Sequence, residues 1–235
     1  MKPVLASAGL AALALAVPYA IAQEAAAPTQ ETAQPQAAGQ PSTTIVNALN
    51  GLHVIVLEDQ QGGMASIRNE QGDDSLIAFL RPAAAEAARQ EPAVSNMTPG
   101  TVPLLALLTA WDGPVMFEGG AEEVEQANAL DESGEGFGAP VFFVTADGKE
   151  TQIDTGNGPA TPILLSYQDA QGMASNLKQQ GFDAETIEIV PLEFGSVLQQ
   201  LNATSNGGSY KVFTHPETVE MIQSAAAQAD GAASQ

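Results

Sequence analysis

Gly138–Leu201, GAPVFFVTADGKETQIDTGNGPATPILLSYQDAQGMASNLKQQGFDAETIEIVPLEFGSVLQQL, packs three apolar runs, two turn signals and two amphipathic helical patterns into one stretch. Val141–Thr145 reads as a strand, Asp147-Gly148 as a tight hairpin turn and Thr151–Asp154 as the return strand. After the Gly156-Asn157-Gly158-Pro159 loop, Pro162–Ser166 is a third strand. Gln168–Gly181 is a helix, because Ala170, Met173, Ala174 and Leu177 recur at helical spacing and Gly181 is a stop signal. Thr186–Val190 is a further strand. Phe194, Val197, Leu198 and Leu201 then stand at i, i+3, i+4 and i+7, the apolar stripe of a second helix.

The same plan occurs upstream in weaker form. Leu52–Val56 aligns with Pro140–Val144 at an offset of 88, and Ser75–Phe79 with Thr161–Leu165 at 86. Val102-Pro103-Leu104 aligns with Val190-Pro191-Leu192 at 88, and Gly113–Phe117 with Ser209–Phe213 at 96. Four blocks in one order point to an internal duplication. In the first copy Val54–Leu57, Met64–Ile67 and Leu76–Leu80 are the strands, with Gln61-Gly62-Gly63 as the turn. Pro82–Gln90 is an Ala-rich helix with Pro at its first position. Leu104, Leu107, Leu108 and Trp111 repeat the helical stripe. Each copy closes with a strand and a helix. In the second, Thr214 or His215 caps the helix, Pro216 starts it, and Val219, Ile222 and Ala226 form its expected buried stripe.

The expected class is therefore α+β: two pseudo-symmetric half-repeats, each a small mixed or antiparallel sheet with helices packed on it. Residues 43–130 form the first half, 131–138 an acidic Gly-rich linker, and 139–227 the second half. Val141–Val144, Ile163–Leu165 and Leu76–Leu80 are apolar on both faces, so each strand needs cover on both sides. Helices can cover one face of each sheet. The other must meet the partner half or stay open as a groove for something apolar. The strand residues Val54, Val56, Ile77, Phe79, Phe142, Val144, Ile163 and Leu165 are the candidate binding surface on this logic.

The termini read differently. Lys2, the apolar run Leu5–Val17, the break at Pro18 and the small-x-small Ala20-Ile21-Ala22 make residues 1–22 a signal peptide cleaved after Ala22. Residues 23–42, of Ala, Gln, Pro, Thr and Glu, have almost nothing to bury and read as a disordered tether, and 228–235 as a frayed tail. The expected compartment is the periplasm. No Cys is present, which removes disulfides, thiol chemistry and thiolate metal sites. Seven Lys and Arg face 28 Asp and Glu, a net charge of −21. Nucleic acid and anionic lipid surfaces are poor partners for so acidic a chain.

No set of residues points to catalysis. His53 and His215 stand 162 residues apart without metal-ligand spacing; the first opens an apolar strand and the second reads as helix-start chemistry. Ser196 lacks a G-x-S-x-G elbow, and Ser166 ends a strand. Gly134–Gly138 is acidic, has no Lys and opens no helix, so it is no phosphate loop. Asp73-Asp74 and Glu122-Glu123 lie outside any calcium-loop pattern and read as solvated charge pairs. Asn202-Ala203-Thr204 is a glycosylation sequon without consequence in a bacterial protein. The expectation is a non-enzyme with no metal and no cofactor. A hydrolase using His53 and a distant acid is the remote alternative.

Ala139–Thr145, Pro162–Ser166, Tyr167–Ala170 and Ile189–Leu192 resemble the Tic-twenty-two-like family of the chloroplast intermembrane space and the cyanobacterial periplasm. The resemblance covers 138–201, and the first half only through the repeat. It implies a duplicated α+β fold with pseudo-twofold symmetry and apolar grooves on its sides. It also implies a chaperone-like role in protein transport or envelope biogenesis, with unfolded precursor or outer-membrane proteins as partners. The short signal sequence departs from a plastid transit peptide and points to a bacterial periplasm. Binding of a small apolar ligand or lipid is the second reading.

Overall fold

The computed structural model describes residues 42–68, 74–131, 134, 136–203 and 209–233, with side chains as far as 227. The signal sequence expected at 1–22 and the tether at 23–42, except Ser42, lie outside them. Ser42 is part of the fold. Its hydroxyl caps helix α1 (Thr43–Leu49), accepting from the Ile45 amide, and its own amide donates to Asn202 Oδ1 at 3.0 Å. Sequence reading missed α1, which offers only Ile45, Val46, Ala48 and Leu49 as a pattern.

From there the chain runs β1 (His53–Glu58), β2 (Ser66–Arg68), β3 (Asp74–Phe79), α2 (Pro82–Ala88), β4 (Thr98–Pro103), α3 (Leu104–Ala110), β5 (Val115–Glu118) and α4 (Ala121–Leu130). It continues through β6 (Pro140–Ala146), β7 (Lys149–Glu150), β8 (Ile153–Asp154), β9 (Pro159–Leu164), α5 (Tyr167–Gln179), β10 (Ile187–Glu193), α6 (Phe194–Ala203), β11 (Tyr210–Phe213) and α7 (Pro216–Ala233). The class is α+β. The hairpin after β6 turns at Asp147 and Gly148, both at positive φ (53° and 69°), which is the geometry that matches strand twist. The return strand is split: β7 pairs with β6, and β8 pairs with β9 instead. α7 runs past the expected boundary at 228.

The two sheets are built alike. In the first, β1 lies between β4 and β3, both antiparallel to it, and β5 joins β3 in parallel. In the second, β6 lies between β10 and β9, again antiparallel, and β11 joins β9 in parallel.

Equivalent hydrogen bonds fix the register between the sheets. Leu52 accepts from Leu104, and Ala139 from Phe194, both at 2.9 Å. Leu76 donates to Pro114 at 3.0 Å, and Thr161 to Ser209 at 2.7 Å. Val54 is therefore the equivalent of Val141, not of Phe142, and Leu76 is the equivalent of Thr161, not of Pro162. The sequence alignment of these strands is offset by one residue too many in each case. A slip of one residue turns a strand's side chains to the opposite face. Strands apolar on both faces carry nothing in their sequence to prevent it.

Val54, Val56, Leu76, Ala78, Val141, Phe143 and Ile163 face one central cluster, shared by both sheets and by α1, α3 and α6. The α6 stripe Phe194, Val197, Leu198 and Leu201 is buried there as expected. Phe194 meets Phe117 edge-on, centroids 4.9 Å apart. On the outer face of the first sheet Ile55, Leu57 and Phe79 pack under α2. Phe142 and Val144 pack under α5 on the second.

The helix after β5 and the helix after β11 each cross to the other sheet. Ala127 of α4 completes the outer cluster of the second sheet, and Met221 of α7 packs on that of the first. Matching contacts lead into the crossings. The Gly119 amide, after β5, donates to the Gly138 carbonyl at 2.9 Å. The Thr214 hydroxyl, after β11, donates to the Gly51 carbonyl at 3.1 Å. A Cβ on Gly119 would lie 2.8 Å from Pro140 Cδ, so only glycine fits. The expected stripe on α7 holds only at Ile222, which is half-buried. Val219 is 38% exposed and Ala226 is exposed, and Thr218 and Met221 face the body in their place.

The outer edges at β4 and β10 are blunted. With Leu104 bonded to Leu52 and Phe194 to Ala139, alternation along the ladders points positions 99, 101 and 103 of β4, and 191 of β10, away from the sheet. Pro99, Pro103 and Pro191 occupy three of these places and present no N–H to an added strand. The double variant Pro99→Thr/Pro103→Thr breaks no ladder bond. It is expected to keep its urea midpoint while gaining self-association in sedimentation velocity; an unchanged monomer would contradict this reading.

Candidate functional site

Seven of the eight strand residues expected to form a binding surface are interior. Val54, Val56, Ile163 and Leu165 lie in the central cluster, Phe79 beneath α2, and Phe142 and Val144 beneath α5, none more than 3% exposed. Ile77 is half-buried beside Phe79. The fold brings Phe142 and Val144 together on one outer face, and Ile77 and Phe79 on the other. It does not bring the eight to one surface.

An open groove of about 760 Å³ lies between α5 and strands β8, β9 and β11. Pro162, Leu164, Ile153, Met173 and Phe213 supply its apolar floor and walls. α5 is positioned by burying Ala170, Ala174 and Leu177, with Ser166 as its N-cap, accepting from the Asp169 amide at 3.3 Å. That burial leaves the row Gln168, Gly172, Asn176 and Gln180, four residues apart, along the groove. Gln152 stands on the opposite side. Asp169 is the lone charged residue in the lining. The sequence signal that marks this groove is Gly172, a glycine inside a helix.

A buried ion cluster adjoins it. Arg81, the N-cap residue of α2, has a side chain only 12% exposed and bonds the Glu123 carboxylate of α4 and, at 2.8 Å, Glu217 of α7. Glu122 is 3.6 Å away. Glu123 is thus no solvated charge, since its side chain is 5% exposed. Burial works against the charged guanidinium, but its hydrogen bonds to Glu217 and Glu123 prevail and hold Arg81 above its ordinary range. The hydrogen bond from Arg81 in turn lowers the Glu217 carboxyl. His215 is 5% exposed, and burial, reinforced by Arg81, lowers its imidazole. Elsewhere burial and then Glu193 raise Glu118, while Glu193 accepts from the Gly138 and Ala139 amides at 3.1 Å each.

The remaining polar candidates have structural partners. His53 Nδ1 lies 3.1 Å from the Gly51 carbonyl. Asp74 forms a two-pronged bond with Arg68 at 3.0 and 3.1 Å, and Asp73 lies outside the described residues. Among the described residues no group of three or more His, Asp or Glu is placed to hold a metal ion. No described helix is long and apolar enough to cross a membrane.

Two like-connected sheets with crossed closing helices define a twin-sheet α+β fold with an amide-rimmed apolar groove. That fold is Tic22-like. The chain is similar to Anabaena Tic22, a protein of protein transport, with a TM-score of 0.59 at 22% identity over 77% of this chain and 96% of that one. It is also similar to Tic22 from Plasmodium falciparum, with a TM-score of 0.57 at 13% identity over 78% and 96%. No family model and no curated relative matches the sequence.

Removing Arg81 strands Glu123 as a buried charge. Arg81→Met is expected to cost about 3–5 kcal/mol in urea denaturation at pH 7. Glu217 has a lowered folded pKa, so its contribution is full above the ordinary carboxylate range and is lost as pH falls through the folded value. The deficit of the variant should therefore shrink on acidification; a deficit below about 1 kcal/mol at pH 7 would contradict the role given to Arg81.

Proposed function

We propose that this protein is a non-enzymatic, chaperone-like escort. It holds extended apolar segments of precursor or outer-membrane proteins in the groove between α5 and β8, β9 and β11. The carrying observation is Gly172. Glycine inside a helix costs about 1 kcal/mol relative to alanine. At 172 no atom lies within 4 Å of where a Cβ would stand, so packing does not demand the small residue. What its smallness does is keep the groove open.

The rim chemistry favours a peptide. Gln152, Gln168, Asn176 and Gln180 each carry a donor and an acceptor, which suits the alternating N–H and C=O groups of an extended chain whatever its sequence. The floor takes apolar side chains, and the acidic surface keeps a loaded complex soluble. The proline-blunted edges at β4 and β10 favour groove binding over strand addition there. Anabaena Tic22 is a protein of protein transport, which agrees with this reading. We place the protein in the periplasm after cleavage following Ala22, where protein transport or envelope biogenesis needs such an escort, and take the matching connectivity of the sheets as the trace of a duplicated half. A small apolar ligand or lipid is the second reading. It is favoured by an open site of about 530 Å³ lined by Leu49, Leu52, Pro103, Leu105, Ala106 and Ala110, and a ligand retained in native mass spectrometry would support it.

Gly172→Ala should raise stability by about 1 kcal/mol, and Gly172→Leu should fill the groove without unfolding the helix. Light scattering of a diluted, unfolded outer-membrane protein is the readout. Suppression by the wild type and its loss in Gly172→Leu are expected. No suppression by the wild type at stoichiometric excess, or full activity in Gly172→Leu, would overturn the proposal.

A further inference from the structure

α7 is the longest helix among the described residues, and as far as residue 227 its buried and half-buried side chains all lie in its first two turns. Thr218 is buried and Glu217, Met221 and Ile222 are half-buried, whereas Val219, Glu220 and residues 223–227 are exposed. Its attachment is therefore local: Met221 against the outer cluster of the first sheet, the Glu217–Arg81 ion pair at 2.8 Å, and His215.

His215 sits where the chain leaves β11 and crosses to the first sheet. Its carbonyl accepts from the Thr218 and Val219 amides at 3.0 and 3.1 Å, and its Nδ1 accepts from the Glu217 amide at 3.2 Å. The imidazole thus serves as a helix cap only while Nδ1 carries no proton. A proton there removes the acceptor and places a second cation beside Arg81 in a buried site. The groups facing His215 come from every helix at this junction: Arg81 at the start of α2, Glu123 on α4, Asp169 on α5 and Glu217 on α7. The carboxylates favour the proton. Burial and Arg81 oppose it and prevail.

We propose that His215 is an acid-sensitive latch for α7: protonation on acidification frees the start of the helix from the first sheet and lifts Met221 off that sheet's outer apolar cluster. The sign follows from linkage. Released, His215 titrates near its ordinary value of about 6.5; latched, it resists protonation. The latch is therefore fully engaged above about 6.5 and weakens as pH falls below it, by up to about tenfold at pH 5.5. The device does not depend on what the groove holds.

Hydrogen exchange of the full chain at pH 7.5 and 5.5, corrected for intrinsic rates, tests it. Protection of the Thr218–Ile222 amides should fall by up to about tenfold while the β1 and β6 amides stay protected. His215→Asn keeps a capping acceptor that does not titrate, and its α7 protection should be independent of pH. Unchanged protection in the wild type, an equal fall in His215→Asn, or a fall that includes β6 would each overturn the latch. Should His215→Asn fail to fold, NMR titration of the wild-type imidazole decides. A midpoint below about 6.5 that tracks the exchange supports the latch, and a midpoint at or above that value refutes it.

Discussion

The architecture depends on a single constraint: its central strands are apolar on both faces. Val54–Leu57 and Val141–Val144 send alternate side chains to opposite sides, and water is tolerable on neither. A lone sheet with helices on one side leaves half of this surface wet. The chain meets the constraint by placing two such sheets around one central cluster, together with α1, α3 and α6, and by covering each outer face with helices.

The crossed helices make those covers mutual. α4, which follows β5, completes the outer cluster of the second sheet, and α7, which follows β11, packs Met221 on that of the first. Each sheet thus takes part of its outer cover from a helix that follows the other sheet. The crossings bring the starts of α2, α4, α5 and α7 together. The positive ends of their dipoles meet there, with Glu122, Glu123, Asp169 and Glu217 in the first turns as local complements. Arg81 neutralises the excess negative charge and ties α2 to both crossing helices.

The two sheets differ where an opening is left. α5 is thirteen residues long and α2 seven, and α7 is longer than α4. The longer α5 carries the row of carboxamides and the open position at Gly172 beside β9 and β11. A shared connectivity thus yields two closed outer clusters but an amide-rimmed groove on the second sheet. The distinguishing feature of this molecule lies in its departures from symmetry.

Much of the local structure was legible in the residues themselves. Asp147-Gly148 specified the hairpin, Pro82 the start of α2, Gly181 the end of α5, and Phe194, Val197, Leu198 and Leu201 the buried stripe of α6. Each of these signals is local, because turn conformation, capping and helical periodicity act within a few residues. α1 escaped because four apolar residues in one seven-residue helix make no clear period. Which face of a strand points where was decided only by the tertiary structure. Val54 and Phe142 look equivalent in sequence and lie on opposite sides of their sheets, since a run apolar on both faces fits either register until hydrogen bonds such as Leu104 to Leu52 fix it. For the same reason the sequence named core residues as a binding surface. The groove, the crossing helices and the Arg81 cluster join residues far apart in the chain, so the sequence by itself determined the elements and their order, and long-range packing alone decided what was covered and what was left open.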